Sequence, residues 1–141
     1  MTIALGFVHG QGVVLAADTE VTTYGRKSHR AKLGYFEYPD GRFAFAMAGN
    51  AAYADSTLTK MKMALQQSSA PVDVPSRVEE CIDSEYKRVV YPDTQGVSDG
   101  SAHFWFLFAF RPHAGKYELW ATNANAVHRV DNFSALAWAR R

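Results

Sequence analysis

The sequence predicts an α+β fold in which helices are grouped between blocks of antiparallel strands, and three patterns carry that expectation. Apolar side chains alternate from Ile3 to Phe7 and from Phe43 to Met47, the period of half-buried strands. Two central stretches, about Ala51–Gln67 and Ser76–Val90, switch to the period of amphipathic helices. Strand-like runs return at His103–Phe110 and Tyr117–Thr122. Helices set between strand blocks in this way make a layered domain rather than alternating βαβ units.

The chain opens with a hairpin. Ile3, Leu5 and Phe7 alternate with smaller residues, His9-Gly10-Gln11-Gly12 turns, and Val13–Ala17 returns. The two glycines lack the helix opening that a phosphate loop needs, so a hairpin turn is the expectation. Thr19–Gly25 reads as polar, irregular chain, and the basic run Arg26–Lys32 as a solvated loop or edge strand. A second hairpin follows, with Leu33–Tyr38, a Pro39-Asp40-Gly41 turn and Arg42–Ala48. Phe43, Phe45 and Met47 share one face; the alanines at 44, 46 and 48 on the other invite close packing.

In the first helix Ala51, Ala54, Leu58, Met61 and Leu65 form the apolar stripe. Ser68–Pro75 is a linker. Ser76 with Glu79 matches a capping box, and Val78, Ile82, Tyr86 and Val89 make the second stripe, with Cys81 beside it as a small packing residue. Pro92–Ser101 is an expected loop. His103–Phe110 is apolar at alternate and intervening positions alike, a strand covered on both faces. A turn at His113–Lys116 and a short strand near Val127–Val130 complete the elements.

Composition narrows the function classes. The 141 residues suit a single domain over 1–141, and 48% hydrophobic with 21% charged residues is ordinary for a globular chain. A net charge of +1 argues for neither nucleic acid nor an anionic membrane as partner. One cysteine excludes an internal disulfide framework, and five histidines lack metal-ligand spacing, so no cofactor or metal is expected. The N-terminus has no basic region before an apolar run, so no signal peptide is expected and the localisation reads as cytoplasmic. Asn132-Phe133-Ser134 is a glycosylation acceptor in form only, without a signal for secretion.

Folding the opening hairpin carries Thr2 towards Asp18. Removal of Met1 would leave Thr2 with a free α-amine beside its own Oγ, a nucleophile with its base on one residue. Taken singly, Thr2 is a strand residue, Asp18 a strand-end turn, Lys32 a surface charge and Gly49 a strand-to-helix turn. Together the pattern resembles the proteasome β-type subunits, including the bacterial peptidase of that superfamily, which likewise begins Met-Thr. It consists of Thr2, Val13-Val14-Leu15-Ala16-Ala17-Asp18 after a hairpin, Lys32 before an apolar strand, and Met47-Ala48-Gly49 before a helix. The resemblance runs from Thr2 to about Val130. The lysine lies two positions early, so Lys27 competes with Lys32 for that place.

The resemblance implies an N-terminal-nucleophile (Ntn) hydrolase with a four-layer αββα sandwich of antiparallel sheets, acting as a threonine-type endopeptidase. It implies that Thr2 attacks a peptide carbonyl, that Lys32 places positive charge beside it, that Asp18 holds Lys32, and that the Gly49 amide stabilises the oxyanion. Val21 and Met47 would line the pocket for the residue before the cut. Peptide or unfolded-protein substrates, a homo-oligomeric ring and an ATPase unfoldase are the implied partners. Two departures stand out. Glu20 replaces the family's usual arginine. The family also continues with a Gly-Ser-Gly-type loop, two helices and closing strands where this sequence ends at Ala135–Arg141. The expectation is therefore a C-terminally incomplete domain with one side of its core exposed. Alternatives of the same fold are a non-catalytic structural subunit or degenerate fragment, or another Ntn amidohydrolase.

Overall fold

Alternation at the N-terminus produces a hairpin in which β1 (Thr2–His9) runs antiparallel to β2 (Gly12–Ala17), with Phe7 opposite Val14 and Ala4 opposite Ala17. The computed structural model describes residues 2–23, 26–93 and 102–138. The ladder reaches one residue past β2, because the Asp18 N–H donates to Ile3 O at 3.0 Å.

The next segment departs from expectation in its first half. Part of Thr19–Gly25, read as irregular chain, forms β3 (Glu20–Thr23). The basic run, read as a solvated loop or edge strand, takes the strand form as β4 (Arg26–His29) and pairs with it. Val21, Thr22 and Thr23 are β-branched and favour extended backbone. All four β4 residues are exposed, so this strand lacks the apolar alternation by which strands are recognised.

Five strands form the central sheet in the order β5-β6-β7-β8-β9, all antiparallel. They are β5 (Leu33–Tyr38), β6 (Gly41–Gly49), β7 (Phe104–Phe110), β8 (Glu118–Asn123) and β9 (Ala126–Val130). Phe43, Phe45 and Met47 join Phe104, Phe106, Phe108 and Phe110 in a core beneath the helices. Ala46, Leu107, Leu119 and Ala121 face the other way and meet Ala4 of β1. Small side chains let the two sheets approach: a Cβ on Gly6 would lie 3.0 Å from Leu15 and 3.1 Å from Leu119.

A further strand, β10 (Phe133–Trp138), pairs antiparallel with β1, Leu5 lying opposite Ala135 and Phe7 opposite Phe133. The first sheet is therefore β10-β1-β2, with β1 at its centre. Its outer face leaves Leu5, Phe7, Val14 and Phe133 exposed. The described residues thus supply three layers: helices, five-stranded sheet and three-stranded sheet.

Helix α1 (Ala51–Gln66) is capped by Asn50, whose Oδ1 accepts from the N–H of Ala52 and of Tyr53 at 3.1 and 3.2 Å. Its buried residues are Ala54, Met61 and Leu65, joined by Thr57, whose hydroxyl donates to Tyr53 O. Helix α2 (Val74–Glu85) begins earlier than the capping-box reading placed it. Asp73 is the cap, accepting from the Ser76 N–H at 3.2 Å, and Pro75 sits in the first turn where its missing N–H costs nothing. Glu79 instead accepts from the Val127 N–H at 2.9 Å, tying α2 to β9.

A wide π-helical turn over Tyr86–Val90 leads into the short α3 (Tyr91–Asp93). It carries Val90, rather than Val89 alone, fully into the core. Glu85 at this junction is completely buried and is held by Lys60 of α1 and by Arg88. The expected loop after Pro92 lies largely outside the described residues.

Candidate active site

Thr2 opens β1 on the face turned towards the central sheet and is 7% exposed. Asp18 sits where β2 ends, and three contacts fix it. Its Oδ1 accepts from the Ile3 N–H at 2.9 Å, its own N–H donates to Ile3 O, and its Oδ2 accepts from the Glu20 N–H at 3.2 Å. The carboxylate thereby clamps the first peptide of β1 while shaping the turn into β3.

Lys32 arrives from the other sheet. Its carbonyl accepts from the Met47 N–H at 2.9 Å, which registers the residue against β6 just before β5 begins. The side chain is 6% exposed. Its Nζ lies 3.2 Å from Thr2 Oγ1 and 3.2 Å from both Asp18 oxygens, and it donates to the Glu20 carbonyl. An ammonium has three N–H donors, so Thr2, Asp18 and Glu20 O occupy them all. Lys27, the competing lysine, is 70% exposed at its side chain and pairs with the Glu20 carboxylate instead. The structure brings Thr2, Asp18 and Lys32 together and leaves Lys27 outside.

The electrostatics follow the contacts. Burial acts to raise the Asp18 pKa, but the Ile3 amide and the Lys32 ammonium outweigh it, leaving the carboxyl below its ordinary 3.8.

Gly49 ends β6 with φ +92°, a conformation that favours glycine. A Cβ there would stand 2.4 Å from His103 O, 2.8 Å from Phe104 Cα and 3.0 Å from the Trp105 ring. N–H groups alternate sides along a strand. Met47 N–H points to Lys32 on the β5 side, and Asn50 N–H points to His103 O on the β7 side at 2.8 Å. By that alternation the Gly49 N–H faces the β5 side, where the chain has left the ladder at Lys32 for Thr2. The two remaining sequence candidates sit differently. Val21 is half-buried on β3 opposite Ser28, while Met47 is 5% exposed with its side chain in the core under the helices.

No protein-family model matches the sequence, and neither does any curated protein. Solved structures do match in fold. They include the helical assembly of the Anbu complex from Pseudomonas aeruginosa, 16% identical over 96% of this chain and 60% of that one, with a TM-score of 0.78. Anbu (ancestral beta-subunit) from Yersinia bercovieri is 14% identical over 96% of this chain and 60% of its own, with a TM-score of 0.77. Eukaryotic HslV from Trypanosoma brucei is 20% identical over 97% and 71%, with a TM-score of 0.63. The fold is proteasome-like. This chain spans about 60% of the length of the Anbu chains it matches.

Within that fold, sequence reasoning missed three neighbours of the site. The Glu20 carbonyl is a ligand of Lys32 that no side-chain pattern can reveal. Trp105 stacks on His103 with ring centroids 6.0 Å apart and borders Gly49. Arg30 forms an ion pair with Asp55 of α1, a contact foreshadowed only by the charge two residues before Lys32. Among the described residues no group of three His, Cys, Asp or Glu side chains gathers to hold a metal. Cys81 lies half-buried against the helical core, and that burial raises its thiol pKa above 9.0. No helix among the described residues is long and apolar enough to cross a membrane.

Proposed function

We propose that this protein is a proteasome-like threonine-type endopeptidase subunit of the αββα class, with Thr2 as an N-terminal nucleophile exposed by removal of Met1. Met1 itself lies outside the described residues. The observation that carries the reading is the placement of Lys32 Nζ, 3.2 Å from both Thr2 Oγ1 and the Asp18 carboxylate in a nearly closed site. Because Lys32 donates to Oγ1, the hydroxyl proton points elsewhere, and the α-amine freed by removal of Met1 would take it. As Oγ1 attacks a peptide carbonyl, the ammonium stabilises the charge developing on the nucleophile, and the Gly49 amide meets the oxyanion. Asp18 holds Lys32 and offsets the cost of its burial.

The substrates proposed are peptides or unfolded protein, with Val21 and Met47 lining the pocket for the residue before the cut. Met47 would contribute from beneath, by packing against α1. The working state proposed is a cytoplasmic homo-oligomer, a ring fed by an ATPase unfoldase. The Anbu complex of Pseudomonas aeruginosa forms a helical assembly, which supports oligomerisation as such.

The test is reaction with an electrophilic peptide probe, mapped by mass spectrometry. An adduct on Thr2 that Thr2→Ala abolishes, together with loss of peptide cleavage in a folded variant, is the expected result. Undiminished turnover by Thr2→Ala overturns the assignment. Retained Met1 in the purified protein blocks the α-amine and favours a non-catalytic subunit of the same fold.

A further inference from the structure

Trp105 is the one residue of β7 that is not buried: it is half-open, while Phe104 and Phe106–Phe110 are closed off. Among the described residues it joins neither apolar core. Its place in the fold accounts for the exception. Lys32 and Trp105 flank β6 from opposite sides, since the Met47 N–H donates to Lys32 O and Ala48 lies opposite Trp105. Each stands one strand step from β6, about 4.8 Å. Trp105 shares a face of β7 with Leu107, which meets Ala4 of β1 between the two sheets, and Thr2 shares that inner face of β1 with Ala4. Thr2 is bound by Lys32, and Lys32 is registered on Met47. Thr2 therefore stands at the Gly49 end of β6, which is also the Trp105 end of β7. The indole reaches across to β6, where a Cβ on Gly49 would stand 3.0 Å from it. The gap above Gly49 thus has Lys32 and Thr2 on one flank and Trp105 on the other. The ring is also held in place. His103 stacks on it with centroids 6.0 Å apart, and Tyr86 meets His103 edge-on at 6.0 Å while its hydroxyl donates to Phe104 O at 2.9 Å.

We propose that Trp105 is a specificity-determining residue whose ring forms an apolar subsite for the substrate side chain that follows the scissile bond. The inference rests on the peptidase reading. On that reading Thr2 attacks a carbonyl above Gly49, and Val21, next to the Glu20 carbonyl that binds Lys32, takes the residue before the cut. The leaving half of the peptide then runs off the other flank, over Trp105. A flat indole fixed by His103 offers a large apolar area at little entropic cost, and it favours aromatic or long aliphatic side chains over small or charged ones. A tryptophan that only filled space between the sheets would be closed off like the rest of β7. Its loss would lower stability without changing the ranking of substrates.

Internally quenched peptides identical except for Phe, Leu, Ala or Asp after the cut provide the test. In the unmodified protein kcat/KM should favour Phe over Ala about tenfold, with Asp the poorest. In Trp105→Ala the Phe-to-Ala ratio should fall to within about twofold of unity. An electrophilic probe that ends at its reacting carbon has no group to place on Trp105, so its labelling of Thr2 should be unchanged in the variant. If Trp105→Ala fails to fold by circular dichroism, Trp105→Val, a short side chain suited to a strand, carries the same comparison. A Phe-to-Ala ratio near one in the unmodified protein, or unchanged in the folded variant, overturns this inference alone. Where Thr2 is labelled without measurable cleavage, the same peptides are ranked by their protection of Thr2 from the probe, with the same ratios expected. Absence of both cleavage and a Thr2 adduct overturns the peptidase reading and the inference with it.

Discussion

Replacing Gly49 by alanine tests the geometry of the site without requiring any turnover. Two costs combine. A residue with a Cβ held at φ +92° carries about 1–3 kcal/mol of backbone strain. The Cβ would also meet His103 O at 2.4 Å and Phe104 Cα at 2.8 Å. Both are backbone atoms of the neighbouring strand segment and cannot rotate away. Relief requires parting β6 from β7 where Gly49 lies opposite Phe104, which stretches the 2.8 Å bond from Asn50 N–H to His103 O. Overpacking of this kind costs about 1–3 kcal/mol, and a weakened hydrogen bond about 1 kcal/mol more. The expected loss is about 3–7 kcal/mol, a large part of the roughly 5–15 kcal/mol that holds a domain together. Urea unfolding followed by tryptophan fluorescence measures it. Gly10→Ala is the control, since a Cβ there meets nothing within 4 Å, and it should change stability by less than about 0.5 kcal/mol. A loss below about 1 kcal/mol for Gly49→Ala would refute the reasoning, because the strain alone predicts at least that much.

Three further outcomes follow from the contacts. Lys32→Ala should abolish probe labelling of Thr2 and destabilise the fold, whereas Lys27→Ala, at an exposed side chain, should leave both nearly unchanged; labelling assays and thermal melts separate the two. Burial acts to raise the Glu85 pKa, but Arg88 and Lys60 outweigh it and leave the carboxyl below its ordinary 4.5. Its contribution is therefore complete above that value and lost as pH falls through the lower folded-state value. Glu85→Gln should flatten the acid arm of the stability profile and cost about 1–3 kcal/mol at neutral pH, read from urea midpoints. Asp73→Ala should destabilise α2 by about 1 kcal/mol and Ser76→Ala by less, reversing the order that a capping box at Ser76 implies.

The elements that were legible in the sequence are those whose own residues encode a periodicity. The opening hairpin, β5 and β6, the α1 stripe and β7 all bury one or both faces, and burial writes itself as spacing. The elements missed or left open obey other rules. The β3–β4 hairpin has no buried face on β4, and its Glu20–Lys27 pair is an ion pair across strands rather than an apolar pattern. β10 holds its place through its partner: pairing with β1 determines it, and that pairing is a long-range fact. The same division runs through the site. Thr2, Asp18, Lys32 and Gly49 could be named because together they resemble a known family pattern; singly, each reads as an ordinary strand, turn or surface residue. Spacing alone left Lys27 competing with Lys32, since the outcome depends on where the β3–β4 pairing directs the chain.

On the proposed peptidase reading, the contacts around Thr2 bear on which group would act as its base. Asp18 is an inferior candidate, because its oxygens already accept from Ile3, Glu20 and Lys32 and its pKa is lowered. Lys32 spends its donors on Thr2, Asp18 and Glu20 O, and as an ammonium it has no lone pair to offer. On the proposed reading, the α-amine that removal of Met1 would free on Thr2 is the group left to accept the proton. A free α-amine titrates at about 7.7–8.0, and the nearby Lys32 charge acts to lower that value. Probe labelling should therefore rise with pH and level off at or below about pH 8. Acetylating the amine should abolish labelling while leaving the thermal melt unchanged. A rate that instead followed the Asp18 carboxyl, levelling off below its ordinary 3.8, would make the carboxylate the base and Lys32 a mere tether.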